Sequence, residues 1–210
     1  MIRVAPVGDV HMAADLRGQL RPDFTGIAAD ADVLLLAGDL TQHGVLSEGN
    51  VVAAEFGGLP VPVVAVLGNH DYHSDEQIEI AMALAAAGIT VLEGNGTVIE
   101  TRAGRLGVAG TKGFGGGFPG RCAAAFGERE MKDFVIASQQ SAEGLRGALA
   151  GLDAPVRVAL THYSPVPETL AGEPPEIYPF SAAISWPKPP TTRAQISCCT
   201  AMRTRVPRRA

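Results

Sequence analysis

The chain has 210 residues, 46% of them hydrophobic and 19% charged, with a formal net charge of −5. That is enough apolar material for one core-bearing domain with at most a small appendage. Cys122 stands alone and Cys198 and Cys199 are adjacent, which excludes a disulfide framework or a paired zinc-ligand spacing. No apolar run reaches the roughly 18 residues of a membrane span, and the start at Met1 is already strand-like, so a soluble cytoplasmic protein without a membrane partner is expected.

Residues 2–7 read as a strand, and Pro6, which has no amide donor, places it at a sheet edge or at an irregularity. It ends in Gly8-Asp9-Val10-His11. Alternate residues of an extended segment point the same way, so Asp9 and His11 can grip one ion. Taken alone, the triplet fits a helix cap and a surface histidine better. Residues 33–37 form a second apolar run, ending in Gly38-Asp39. Gly38 removes a side chain where backbone must pass close to something, and Asp39 is either a turn acid or a carboxylate able to bridge two cations. His43, in the loop beyond, is either a substrate contact or a solvated side chain.

Residues 47–56 look helical, stopped by Gly57-Gly58. Residues 61–67 are the strongest strand of the chain, Val-Pro-Val-Val-Ala-Val-Leu, and they end abruptly in Gly68-Asn69-His70-Asp71. A strand buried on both faces is apolar without alternation, so this pattern predicts a parallel sheet with helices on either side. Ligand sites in such sheets lie outside the carboxyl ends of the strands. Asn69 offers a neutral amide oxygen suited to a hard cation, and His70 can donate a proton near neutral pH. Residues 75–87 are an alanine-rich helix capped by Ser74 or Asp75 and stopped by Gly88.

Residues 91–92, 98–101 and 106–109 read as short strands of antiparallel character. The glycine-rich stretch from Thr111 to Gly120 lacks the spacing of a phosphate-cradling loop and reads as a flexible lid or rim. Within it, Lys112 either meets an anionic substrate or is solvated. Residues 128–149 are mostly helical, with an interruption near Gly144. The strand at 156–160 then presents Thr161-His162. Four strands therefore deliver Asp, Asn and His side chains to their carboxyl ends.

Asp-x-His, Gly-Asp, Gly-Asn-His-Asp and a strand-end His, in that order and each after an apolar strand, resemble the calcineurin-like metallophosphoesterase family over residues 1–180. The resemblance implies an α/β fold, a layered sheet sandwich flanked by helices. It implies that Asp9, His11 and Asp39 bind one divalent metal and Asp39, Asn69 and His162 a second, with Asp39 bridging and His70 as general acid. It further implies two ions, Mn²⁺, Fe or Zn²⁺, and hydrolysis of a phosphomonoester, phosphodiester or nucleotide by attack of a metal-bridging hydroxide. The chain departs from the family at one motif. The family closes its ligand set with Gly-His-x-His on a later strand end, and no histidine follows His162 here.

The tail also changes character. Residues 181–210 hold six of the 17 Lys and Arg and no acid, leaving eleven basic against 22 acidic residues before them. So acidic a body argues against nucleic acid as a partner. Read one base earlier, codons able to encode residues 196–205 permit Asp-Leu-Val-Leu-His-Gly-His-Ala-His-Ala, a strand followed by the absent motif. The pattern predicts a one-base frameshift near Phe180, with residues 1–180 an incomplete metallophosphoesterase domain and 181–210 an aberrant tail. The competing reading of the tail is a natural basic, disordered segment. With two imidazoles missing, weak or absent activity is expected. A noncatalytic metal- or partner-binding protein is the alternative.

Overall fold

The computed structural model of the chain describes residues 1–118 and 120–170, with 172, 174, 176 and 178. The proposed frameshifted tail, 181–210, lies outside the described residues. A four-stranded, wholly parallel sheet is built from β1 (Val4–Val7), β2 (Val33–Ala37), β3 (Val63–Val66) and β4 (Thr90–Val91), in that order. A second sheet holds β5 (Asn95–Thr101), β6 (Gly104–Thr111) and β9 (Val156–Thr161), with β6 antiparallel to β5 and parallel to β9. Pro6 sits on edge strand β1, where its missing amide costs no interior ladder bond.

Every residue of β2 and β3 is buried, as their unbroken apolar runs require. The cover matches the layered sheet sandwich that the resemblance implies and differs from the helices on either side that the apolar pattern alone predicts. Leu34, Leu36, Val63 and Ala65 pack on one face against α2 (Leu46–Phe56) and α3 (Gln77–Ala86), through Val52, Phe56, Ile80 and Leu84. Val33, Leu35, Val64 and Val66 on the other face meet Leu106, Val108, Val158 and Leu160 of the second sheet. Helix α4 (Arg129–Gly151) covers that sheet's far side through Leu145 against Ala109 and Ala159. The molecule is thus a helix, sheet, sheet, helix sandwich. Among the described residues no helix is long and apolar enough to cross a membrane.

Four local expectations are corrected. Helix α4 runs unbroken through Gly144, where an added Cβ would meet the Gly94 backbone only at an ordinary contact distance of 3.5 Å. Helix α3 starts at Gln77 with no side-chain cap, and Ser74 instead donates its hydroxyl to the His43 carbonyl at 2.7 Å. Strand β4 pairs in parallel with β3, so only β5 and β6 carry the antiparallel character expected of the short strands. The glycine-rich stretch is no free lid. Its Gly115, Gly116 and Gly117 are buried, and β7 (Gly117–Phe118) pairs with β8 (Arg121–Cys122), with Phe118 packed on Leu170 and Tyr178.

Candidate metal centre

Strands β1, β2 and β3 end side by side, and β9 brings its own end to them from the second sheet. Beyond the strand ends the chain stays knitted. The Asp9, His11 and Met12 amides donate to the Gly38, Asp39 and Leu40 carbonyls at 3.0, 3.0 and 2.8 Å. Asp9, His11 and Asp39 have φ of 51°, 43° and 49°. Non-glycine residues rarely hold such backbone, and three in one cluster mark a site whose surroundings enforce strain. From this backbone, Asp9 and His11 each bring a ligand atom near Asp39. Asp9, Asp39 and His162 bring ligand atoms within 4.8 Å of one another, and so do His11, Asp39 and His70. Asp39 belongs to both groups. The grouping differs from the partition that the resemblance implies, since His11 lies with His70, their rings edge to face at 4.5 Å.

The hydrogen bonds of His162 fix what its ring offers. Its Nδ1 donates to the Ala37 carbonyl at 2.9 Å, which in a neutral imidazole leaves a lone pair at Nε2. That atom faces Asn69 Oδ1 at 3.0 Å and Asp39 Oδ1 at 3.4 Å. Three groups able to ligate a cation thus converge: an imidazole nitrogen, an amide oxygen and a carboxylate oxygen. Mixed N and O donors of this kind suit first-row divalent ions. His70 is held likewise, its Nδ1 on the Gln42 carbonyl at 2.9 Å and its amide donating to Asp39 Oδ1 at 2.9 Å, leaving Nε2 4.0 Å from Asp39 Oδ2. Burial pushes the Asp9 carboxyl up, as does the Asp39 charge beside it, while His162, His11 and His70 pull it down.

Two glycines make the approach possible. A Cβ on Gly38, whose φ is +86°, would lie 2.7 Å from His162 Cγ and Nδ1, and one on Gly68 would collide with the Asp39 amide and carboxylate. Gly38→Ala is therefore expected to cost about 2 kcal/mol through overpacking and left-handed strain, and to weaken metal-induced stabilisation by shifting His162. Gly58→Ala has positive φ but open space around it and serves as the control, with a cost of about 1 kcal/mol or less. Thermal melts with and without Mn²⁺ check both variants.

Sequence reading missed Asp71. Its fully buried carboxylate accepts the amides of Leu40, Thr41 and Gly68 at 3.2, 2.8 and 2.7 Å and the Thr41 hydroxyl at 2.6 Å. It clamps the loop carrying Asp39 to the loop carrying Asn69 and His70. Burial pushes its carboxyl up, and these four hydrogen bonds oppose that. Its adjacency to His70 was the only available signal. His43 is not simply solvated, because the buried Glu48 accepts its amide at 2.7 Å and its Nδ1 at 2.8 Å.

Residues 2–105 match the family model described as calcineurin-like phosphoesterase. The chain belongs to that family through this N-terminal half. The match covers β1 to β3 with their ligand loops, whereas His162 lies beyond it. Among solved structures the chain is similar to the phosphopantetheinyl hydrolase PptH from Mycobacterium tuberculosis, with 14% identity over 91% of this chain and 77% of that one and a TM-score of 0.54. Identity that low establishes a shared fold alone. The protein of unknown function AQ665 from Aquifex aeolicus is less similar, with 14% identity over 88% and 89% of the two chains and a TM-score of 0.35. No curated protein matches the sequence.

Proposed function

We propose that this phosphoesterase hydrolyses a phosphate ester of a small molecule or nucleotide with two divalent cations held by Asp9, His11, Asp39, Asn69 and His162. The observation carrying the proposal is the convergence of Asn69 Oδ1 and Asp39 Oδ1 on His162 Nε2, at 3.0 and 3.4 Å. Divalent ions at such a cluster, when bound, neutralise charge on phosphoryl oxygens and lower the pKa of a coordinated water. The protein's own part is orientation and proton transfer. Asp39 faces both groups of ligand atoms, and His70, anchored at Nδ1, presents a partly exposed Nε2 from which a proton passes to the leaving oxygen. On this reading residues 1–180 form the catalytic unit, nucleic acid and membrane are not partners, and the protein works in the cytoplasm. Mn²⁺, Fe and Zn²⁺ all fit the donor set.

Chelator-treated protein should hydrolyse neither 4-nitrophenyl phosphate nor bis(4-nitrophenyl) phosphate, and one of these ions should restore turnover. A second reading rests on the sequence itself: residues 163–210 contain no Gly-His-x-His motif. That reading makes the chain a noncatalytic metal-binding protein. Calorimetric metal binding with no ester cleavage under any ion would select it.

A further inference from the structure

Lys112 stands apart from the metal ligands. Its backbone ties it to the site, since its carbonyl accepts the His162 and Tyr163 amides at 3.3 and 3.0 Å and its own amide donates to Glu93 Oε2 at 2.9 Å. Its side chain lies in an aromatic cage, with Nζ 4.7 Å from the ring centre of Tyr72, 4.9 Å from Phe114 and 5.3 Å from Tyr163. Tyr72 follows His70 by two residues and Tyr163 follows His162 directly, so the ammonium lies between the two histidine-bearing loops. Aromatic faces attract a cation through their quadrupoles without using its N–H groups.

Among the described residues, no carboxylate comes within 4.0 Å of that ammonium and none accepts a hydrogen bond from it, yet it is not sealed from solvent. Glu93, the nearest acid to its backbone, is already occupied by the Thr111 hydroxyl at 2.6 Å and the Lys112 amide. A fixed cation with free donors, beside an acidic centre but beyond ion-pair reach of Asp39, is arranged to meet an anion displaced from that centre.

We propose that Lys112 and its cage of Tyr72, Phe114 and Tyr163 form a subsite for a second anionic group, a carboxylate or phosphate carried a few bonds from the reacting phosphate. This deepens the phosphoesterase reading and rests on it. The substrate class narrows to phosphate esters with a further negative charge, and Lys112 sets specificity without touching the reacting atoms.

The test is calorimetry on the full chain with Mn²⁺, using methylphosphonate and 3-phosphonopropionate, which share the phosphonate and differ in the distal carboxylate. Wild type is expected to bind 3-phosphonopropionate about tenfold more tightly, the order of one charge-assisted contact. Lys112→Met should abolish that preference and leave methylphosphonate binding within about twofold, with Lys112→Gln giving the same result should the Met variant aggregate. Equal binding of the two ligands by wild type, or a preference that survives both substitutions, overturns the subsite alone. Equal weakening of both ligands also overturns it, placing Lys112 on the reacting phosphate. Binding of neither phosphonate overturns the phosphoesterase reading and the subsite with it.

Discussion

Asp39→Asn is expected to lower metal-dependent phosphoesterase turnover by at least about 100-fold, because even groups that only orient metal ligands contribute about 10- to 100-fold. The substitution is gentle to the fold. Asparagine tolerates the left-handed backbone at this position, and its amide oxygen can still accept the His70 amide now bonded to Asp39 Oδ1. Removing one charge from the buried neighbourhood of Asp9 also relieves the repulsion that raises the Asp9 carboxyl. The metal-free variant should therefore melt at or above the wild-type temperature. A ligand that binds only the folded state raises Tm by mass action, so Mn²⁺ should stabilise wild type and leave Asp39→Asn nearly unmoved. Thermal melts with and without Mn²⁺, alongside ester hydrolysis, separate loss of the metal site from loss of the fold. A variant stabilised by Mn²⁺ as strongly as wild type would remove Asp39 from the ligand set.

Asp71→Asn is expected to cost about 3 kcal/mol, the largest stability effect of any single atom change near the site. The carboxylate presents acceptors at both oxygens, two donors to each. Asparagine keeps one oxygen and turns an NH₂ toward either Thr41 or the Leu40 and Gly68 amides, leaving buried donors facing a donor. At roughly 2–4 °C per kcal/mol for a chain of this size, Tm should fall by about 6–12 °C. Activity should fall beyond what instability explains, since the Asp39 and Asn69 loops lose their common anchor. Urea titration against metal-saturated turnover measures both. A melt within one or two degrees of wild type would mean that the clamp is dispensable.

The strand-end motifs were legible because each consists of neighbours in sequence. Asp9 with His11, Gly38 with Asp39, and Gly68 with Asn69 and His70 announce themselves next to apolar runs, and the structure brings their side chains together with His162. Asp71 was not legible as a clamp, since three of its four donors, the Leu40 amide and the Thr41 amide and hydroxyl, lie about 30 residues away and only folding juxtaposes them. Lys112 was open to two readings for the same reason: Tyr72 and Tyr163, two of the three rings around it, are 40 and 51 residues distant. Gly144 misled because a helix interior glycine signals a break locally, whereas the helix packed on the second sheet carries through it.

The sequence by itself determined that β2 and β3 are buried on both faces, because an unbroken aliphatic run cannot leave a face in water. The apolar pattern could not decide what covers them, and only the family resemblance implied a second sheet. Helices α2 and α3 lie on one face and the β5-β6-β9 sheet on the other, and an apolar side chain is removed from water equally well by either. That choice has a functional consequence. Only because a second sheet takes the place of a helix layer does β9 deliver His162 to the ends of β1, β2 and β3, closing the ligand cluster around Asp39.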